Sequence, residues 1–498
     1  MIHQLLTNQY LMYRKRKRNI QKVNYGQKLV SQNLVQILPL EIWEHILSYC
    51  RFWDYMAFRK TCKRATLFPI PKLPYCYTSF CTSQHSDRLN DGVVAGLTSL
   101  YSLTLPSNLL KCPDPLARLT KLKILFSPQN NFINLASLTR LKALELCYSC
   151  NPLQGAEKLT QLTKLNNHGY SMCFEENLIN TFTNLLWLNL VNNHTITNLN
   201  ALQRLTYLIA PKRMRCNEIK KLTNLMKLDL EGNFFVDEIS SLTKLTYLKT
   251  NDLLRDGSFV FLTKLNVLKI ICPFSDLNLL INLTKLKFTN HRGFPLGRNC
   301  ISSLTNLKTL CLSRYWQPIK ISHLTNLTKL NISRSLILND DLLHLTNLRS
   351  LNMAGNEFIT SVRHLSNLTY LKANSKIKQE QLKNLTNLRK LSCSYSFFCG
   401  KFLLTNLTNL VHLTCRSDKM GNIHNFTNLT SLKVNLMTIH DSFIGDISKL
   451  TRLKRLKGGF YSDTNLLLRI PNLEVINKNL LTDNRKHKLK GKKHLLLS

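Results

Sequence analysis

A short repeat occupies most of this chain and constrains its fold more than any other feature. Nineteen units open with Leu-Thr-x-Leu or a close variant, from Leu97 to Ile470, at intervals of 19 to 24 residues and mostly of 20 or 21. In the unit that begins at Leu222, apolar residues stand at positions 0, 3, 6 and 8, and the last two alternate with polar residues. This alternation predicts a short strand with one buried face. Because so short a unit cannot bury its own apolar side, we expect the units to stack into a solenoid.

The Leu-Thr-x-Leu opening and the short period resemble the leucine-rich repeat, in the type found in phosphatase-regulatory and bacterial internalin-like proteins. The resemblance covers about three quarters of the chain. It implies an α/β repeat solenoid with one short parallel strand per unit, curved so that the sheet forms a concave binding face.

Departures from the family pattern lead to separate expectations. The asparagine that bonds backbone groups inside the family's turn is replaced by Ser, Arg, Tyr or Pro in many units, so those turns must satisfy their backbone differently. It is present as Asn108, Asn130, Asn193, Asn233 and Asn356. The unit that opens at Leu283 is compressed, and we expect it to be distorted. The unit at Leu202 lacks the Thr.

The side chains that alternate with the buried leucines are the candidate binding residues. At a strand spacing of about 4.8 Å, nineteen strands give an inner sheet on the order of 90 Å long. The outward positions are strongly basic and include four aromatic residues. They are Trp187, Tyr207, Lys227, Asp229, Tyr247, Lys249, Lys269, Lys329, Tyr370, Lys372, Lys390, His412, Arg416, Lys433, Arg455 and Lys457.

The overall charge leaves three interpretations of this basic stripe open. Lys and Arg number 68 and Asp and Glu 28, which gives a formal net charge of +40. The stripe is a groove for an acidic protein, a groove for nucleic acid, or a solvated face that keeps the array soluble. Lys121, Lys244 and Lys264 lie on the edges of the repeat rather than on the face, which favours the third interpretation.

A different pattern precedes the repeats and predicts two helices. The run from Leu38 to Cys50 has Pro39 at the first helical position, where its missing N–H costs nothing. Asp54 can cap a second helix over residues 55–64, and Pro69, Pro71 and Pro74 then end regular structure.

This segment resembles the F-box, a small helical module that docks on the Skp-type adaptor of SCF ubiquitin ligases. The matching residues are Leu38, Pro39, Glu41, Ile42, Ile46, Leu47, Ser48, Tyr49, Cys62, Lys63 and Arg64. Cys50 and Ala65 depart from the pattern, where Leu and Trp are usual. The resemblance implies that the adaptor-binding residues are Leu38, Pro39, Ile42, Ile46 and Leu47. The alternative is a helical cap that covers the first repeat.

We therefore predict five regions. They are a basic, disordered arm at 1–35, an F-box-like module at 36–70, a connector and cap at 71–96, leucine-rich repeats at 97–480 and a basic tail at 481–498. The cluster from Arg14 to Arg18 is either a solvated arm or a patch for nuclear import or an anionic surface.

Several classes of function are not expected. The sequence holds no phosphate-binding glycine loop, no nucleophile motif and no paired metal-ligand motif, so we predict neither an enzyme nor a bound cofactor or metal. Cys147 and Cys150 form a CxxC without a second pair. No apolar run is long enough to span a membrane, and no secretory signal is recognised, so we expect an intracellular protein with reduced cysteines, in the cytoplasm or nucleus, or in a host cell if the chain is viral. The Asn-Leu-Thr sequences match the glycosylation acceptor pattern, but we attribute them to the repeat consensus.

The leading hypothesis is a substrate-recognition subunit of an SCF-type ubiquitin ligase. The F-box-like module would bind a Skp-type adaptor and, through it, a cullin, while the repeats hold a protein target. Two alternatives remain, a leucine-rich repeat scaffold that binds an acidic protein without any ligase, and a basic protein associated with nucleic acid.

Overall fold

The computed structural model of the protein describes most of the repeat region. The described residues are 102–104, 116–127, 134–146, 153–167, 174–233, 236, 238–250, 259, 261–270, 277–289, 300–393, 406–415, 423–434, 447–457, 470, 472–473, 475–476 and 496–497. The basic arm, the F-box-like module with its five adaptor-binding candidates, the connector, Arg416 and the CxxC pair lie outside them. The chain divides into two compact units, 1–185 and 186–498.

The described part of the first unit contains four parallel strands. They are β1 (Ser102–Thr104), β2 (Ile124–Ser127), β3 (Ala143–Leu146) and β4 (Lys164–Asn167). Each strand pairs with the next one along the chain. A 3-10 turn (Ala156–Lys158) and helix α1 (Glu176–Thr181) complete the regular structure described in this unit.

The second unit continues the same plan over sixteen described strands. They are β5 (Trp187–Asn189), β6 (Tyr207–Ile209), β7 (Lys227–Asp229), β8 (Tyr247–Thr250), β9 (Val267–Ile270), β10 (Lys285–Thr289), β11 (Thr309–Ser313), β12 (Lys329–Asn331), β13 (Ser350–Asn352), β14 (Tyr370–Lys372), β15 (Lys390–Ser392), β16 (His412–Cys415), β17 (Ser431–Val434), β18 (Arg455–Lys457), β19 (Val475–Ile476) and β20 (Leu496–Leu497). They pair in chain order and are all parallel.

Only short helical pieces connect these strands within the described residues. They are helices α2 (Cys216–Ile219) and α3 (Asn339–Leu342) and the 3-10 turns Gln379–Leu382 and Ile423–Asn425. The last strand, β20, lies within the stretch that the sequence analysis assigned to the basic tail. The predicted leucine-rich repeat solenoid with a parallel sheet is confirmed.

A ladder of leucines explains why the strands stay in register. Leu188, Leu208, Leu228 and Leu248 are direct partners on successive strands, and each is fully buried. Burying one leucine contributes roughly 1.5–3 kcal/mol. A slip of one residue would turn the whole column of leucines outward, so the register is strongly fixed.

The expectation of a distorted unit at Leu283 is wrong. Strand β10 is five residues long and pairs without interruption with both β9 and β11. Leu280, Leu283, Leu286 and Phe288 are all buried and have the spacing 0, 3, 6 and 8. The unit therefore begins at Leu280. The sequence permitted two frames because leucines recur every three residues here, and the Thr after Leu283 favoured the wrong one.

Buried asparagines close several turns, as the family pattern predicted. Asn233 donates from Nδ2 to the carbonyls of Pro211 and Met214, at 2.8 and 3.0 Å, and accepts from the Val236 N–H. Asn193 accepts the N–H of Ile196. The sequence analysis missed a further buried asparagine of this kind. It is Asn374, which donates to Ile359 O and accepts from Ile377. Asn108 and Asn130 lie outside the described residues.

A second, exposed series of asparagines was not predicted at all. Two residues after the opening Leu, Phe or Ile of many units, most often in Leu-Thr-Asn or Phe-Thr-Asn, stands an Asn whose Nδ2 donates to a backbone carbonyl of the preceding unit at 2.6–3.2 Å. We call these residues the outer asparagine ladder. Its described members include Asn184, Asn224, Asn282, Asn306, Asn326, Asn347, Asn367, Asn409, Asn428 and Asn472. The repeat consensus thus carries a hydrogen bond between units.

Candidate protein-interaction surface

The outward side chains of the second compact unit, residues 186–498, form two columns across the strands. The first column contains the residue before each buried leucine of a strand, and the second contains the residue after it. Trp187, Tyr207, Lys227 and Tyr247 are successive partners in the first column. Because the register is continuous, neighbouring members of a column lie about 4.8 Å apart. We call the two columns together the strand face.

An aromatic cluster lies on β5 to β8, and we call this part of the strand face the aromatic zone. The rings of Trp187 and Tyr207 meet edge to face, with centroids 5.5 Å apart. The Lys227 amine lies 5.8 Å from the centre of the Tyr207 ring, and the Lys269 amine of β9 lies 5.1 Å from that of Tyr247. These are the distances of cation–π contacts. The rings are half-buried, so each keeps part of its surface available to a ligand.

A small ion-pair network bounds this zone. Lys249 bonds to Asp229 at 3.3 Å and also to Glu231. Burial opposes the charge on Lys249, but its contacts with both carboxylates outweigh burial and raise the pKa of its amine. Burial, the neighbouring Tyr247 and the Asp229 carboxylate raise the pKa of the Tyr207 phenol. Asp229 is 8% exposed, so its carboxylate serves this network rather than a ligand.

From β9 to β18 the strand face is positive, and we call this part the cationic zone. Among its described outward residues, nine are Lys or Arg and none is acidic. They are Lys269, Lys285, Lys287, Lys329, Lys372, Lys390, Lys433, Arg455 and Lys457. Strands β11 and β13 separate its parts with neutral side chains, such as Thr309, Cys311 and Ser350.

The pKa of His412 is affected by the positive charges of the cationic zone. This residue stands in the first column on β16, with Lys390 opposite on β15 and Ser431 opposite on β17. Partial burial, Lys390 and Arg455 together lower the pKa of its imidazole below the ordinary value. The ring is therefore more often neutral than that of a free histidine at the same pH.

The structure places the sequence-predicted face residues on one surface. Trp187, Tyr207, Tyr247, Lys249, Lys269, Tyr370 and His412 are half-buried, and Lys227, Lys329, Lys372, Lys390, Lys433, Arg455 and Lys457 are exposed. Lys285 and Lys287, both exposed, were missed. The wrong frame at Leu283 hid them, and the frame that starts at Leu280 would have found them.

The described part of the chain shows neither a metal-ligand cluster nor a candidate membrane-spanning helix. No three His, Cys, Asp or Glu side chains gather there as a metal ion would require. Nor does any helix among those residues have the length and apolar character needed to cross a membrane. Among the described cysteines, Cys311 and Cys393 carry free thiols.

The fold and surface define a leucine-rich repeat protein, whose regular outward columns suit interaction with another macromolecule. Comparison with known families adds the amino-terminal part. Residues 35–65 match the F-box domain model. No curated protein is significantly similar to this sequence. The F-box match and the leucine-rich repeat solenoid together support a role in interaction with other proteins.

Solved structures with a similar arrangement include three bacterial proteins. An internalin, InlF of Listeria monocytogenes, is 21% identical, with a TM-score of 0.39 over 64% of this chain and 87% of that one. The functional domain of InlJ from the same organism is 19% identical, with a TM-score of 0.39 over 74% of each chain. A leucine-rich repeat protein of Leptospira interrogans is 20% identical, with a TM-score of 0.34 over 73% and 91%. The fold assignment itself rests on the repeat and the strand register.

Proposed function

We propose that this protein is the substrate-recognition subunit of an SCF-type ubiquitin ligase. The observation that carries the proposal is the F-box match at residues 35–65, directly before a long repeat array. An F-box binds a Skp-type adaptor and, through it, a cullin, so residues 35–65 supply the link to the ligase. The protein itself performs no chemistry in this role.

The strand face is the proposed site for the target. Its aromatic zone offers the half-buried rings of Trp187, Tyr207 and Tyr247, and aromatic side chains dominate the energetics of protein interfaces. The stiff leucine ladder holds these rings in fixed relative positions. Tethering a target beside the ubiquitin-donating enzyme raises its effective concentration there, which is the physical basis of such a subunit's action.

The proposed role also suggests where the protein works. Ubiquitin ligases of this type act in the cytoplasm and nucleus, where thiols stay reduced.

Adaptor capture tests the proposal. A tagged full-length chain is incubated with a purified Skp-type adaptor, and the double variant Ile42→Asp/Leu47→Asp is compared with wild type. We expect the variant to retain less than about a tenth of the adaptor, because two charges enter an apolar interface.

The matched control replaces two apolar residues that are exposed on the repeats. Phe261 and Leu343 are 56% and 52% exposed, so Phe261→Asp/Leu343→Asp makes the same chemical change away from the F-box. The control should capture as much adaptor as wild type. Equal capture by all three proteins, or by none, would contradict the proposed role and leave a repeat scaffold without a ligase.

A further inference from the structure

We propose that the cationic zone binds an extended, carboxylate-rich segment of the target protein. This inference rests on the proposed function, in which the strand face holds a protein, and it specifies the chemistry of that protein. Acidic residues make up 28 of the 96 fully charged residues of the chain, yet none of the described outward residues of β9–β18 is acidic. The proportion of basic to acidic residues on this surface is therefore higher than in the chain as a whole.

No acidic residue among those described forms a salt bridge with the positive charges of the zone, although the Lys269 amine lies over the Tyr247 ring. The salt bridges found among the described residues involve Lys220, Lys221 and Lys249, and none of the nine basic residues of the cationic zone. The acids at Asp229 and Glu231 neutralise Lys249, which lies just outside the zone. The zone's own charges are left for water, salt or a ligand, and an anionic ligand gains most where charges of one sign lie close together.

The register brings these charges close enough for one ligand to contact several of them. Lys287 is the direct partner of Lys269 on the neighbouring strand, and Lys457 is the direct partner of Lys433. Five strands, β14 to β18, span roughly 19 Å, and an extended peptide of about eight residues spans roughly 26 Å. Such a peptide can lie across this part of the zone and present alternate carboxylates to it.

The scarcity of aromatic side chains in the zone favours carboxylates over a nucleic acid. Eight of the nine basic residues are lysines, and Arg455 is the single arginine among them. Lysine and arginine both pair with carboxylates and with phosphates, so the aromatic content of the zone separates the two ligands better than the kind of cation does. Single-stranded nucleic acid binds on aromatic platforms, and Tyr370 is the one Phe, Tyr or Trp side chain among the described outward residues of β14–β18.

The pKa of His412 can show whether a ligand occupies the cationic zone. On the neighbouring strands the partners of His412 are Lys390 on β15 and Ser431 on β17, and Arg455 on β18 follows Ser431 in the same column. Burial and the charges of Lys390 and Arg455 lower the pKa of the imidazole. Carboxylates bound beside it would offset these charges and raise the pKa again.

The experiment uses the full-length chain and a fluorescent peptide of about eight residues in which Glu alternates with Ser. Its counterpart, with Gln in place of Glu, is the neutral control. We expect saturable binding of the Glu peptide, at least tenfold tighter than that of the Gln peptide, and weakening as salt rises from about 50 to 300 mM. Histidine-selective NMR, assigned with His412→Gln, should show the His412 pKa rising when the Glu peptide is bound.

Two variants with the same change of net charge distinguish binding at the cationic zone from general attraction of the peptide to a positively charged chain. Lys390→Glu/Lys433→Glu/Arg455→Glu alters the cationic zone, and Lys264→Glu/Lys376→Glu/Lys383→Glu alters exposed lysines outside the strands. The first should weaken peptide binding at least tenfold and the second less than threefold. A Gln version of the first triple variant, checked by circular dichroism, guards against misfolding.

Equal weakening by the two variants, or an unmoved His412 pKa, would overturn the inference. Tighter binding of a single-stranded oligonucleotide than of the peptide would overturn it in favour of nucleic acid. The assay contains no adaptor, so it fails or succeeds separately from adaptor capture. Loss of adaptor capture with retained peptide binding would remove the ligase role and leave an acid-binding repeat protein.

Discussion

Two neighbouring turns in unit 2 have the same backbone course and different chemistry. The strands before them, β12 and β13, pair through the buried Leu330 and Leu351. The turn after β13 contains Asn356, which donates to two carbonyls of the preceding unit and accepts the N–H groups of Phe358 and Ile359. The turn after β12 has Ser335 instead, with one side-chain hydrogen bond, to Ile332 O at 2.7 Å.

The residues before these two positions differ in the same way. Gly355 has φ 70° and Arg334 has φ 54°, so both occupy the left-handed region. Glycine enters this region freely, whereas a residue with a Cβ loses roughly 1–2 kcal/mol there. Because both turns adopt the left-handed conformation at this position, we attribute that conformation to the packing of the leucine ladder. The side chain in the turn then determines how many of its backbone groups are hydrogen-bonded.

The largest effect is expected at Asn356. Asn356→Ala removes two donated and two accepted hydrogen bonds in a buried turn, so we expect a loss of about 3 kcal/mol in the free energy of unfolding. Ser335→Ala removes a single bond and should cost about 1 kcal/mol. Urea unfolding of both variants, followed by circular dichroism, measures the difference. Similar losses at the two sites would mean that Asn356 adds nothing beyond what a serine supplies.

The next effect is expected at Gly355. A Cβ at this position would lie 2.8 Å from Cγ of Arg334 and would have to adopt φ 70°. Because the Arg334 side chain can move, the backbone conformation should dominate, and Gly355→Ala should cost roughly 1–2 kcal/mol. Gly232→Ala is a useful comparison, since its φ is 82° and its nearest neighbour atom is 3.5 Å away. If only Gly355→Ala destabilises the protein, the contact with Arg334 is responsible and the backbone explanation fails.

The same contrast shows which parts of the fold the sequence could predict. The same leucine positions are buried in every described repeat, so their spacing in the sequence was enough to predict the solenoid and its outward columns. The frame at Leu280 and Leu283 failed because two sets of leucines satisfied the same spacing. Asn374 was missed because it comes two residues earlier in its unit than Asn356 does, counted from the opening leucine.

The candidate surface was predictable in its composition but not in its contacts. Alternation gave the outward residues, yet the ion pairs of Lys249 and the contact between Trp187 and Tyr207 depend on side-chain positions across strands. The outer asparagine ladder was not predicted, because its acceptors lie about 20 residues away in the chain. The F-box is a different case, since its residue pattern alone predicted a domain that the family match then confirmed.

Arg334 offers a change in the opposite direction. Arg334→Gly removes the strain of a left-handed arginine, while the added freedom of glycine in the unfolded chain offsets part of the gain. We expect a net stabilisation of roughly 0.5–1 kcal/mol, measured as a higher urea midpoint. Arg314 has φ 60° in the preceding unit, so Arg314→Gly should act in the same way. Destabilisation by both changes would show that these arginines contribute contacts worth more than the strain.

The smallest effect is expected on the outer asparagine ladder. Asn347→Ala removes a bond of 3.0 Å to Thr325 O that is exposed to water, so water can replace the lost donor and the cost should be only about 0.3–0.5 kcal/mol. Asn326 and Asn367 make equivalent bonds to Thr305 O and Thr346 O, with no shared acceptor. Their effects should therefore add in the triple variant, to about 1–1.5 kcal/mol. A triple variant that loses much more would show that the units are coupled through this ladder, and that the outer edge, as well as the leucine core, holds neighbouring units together.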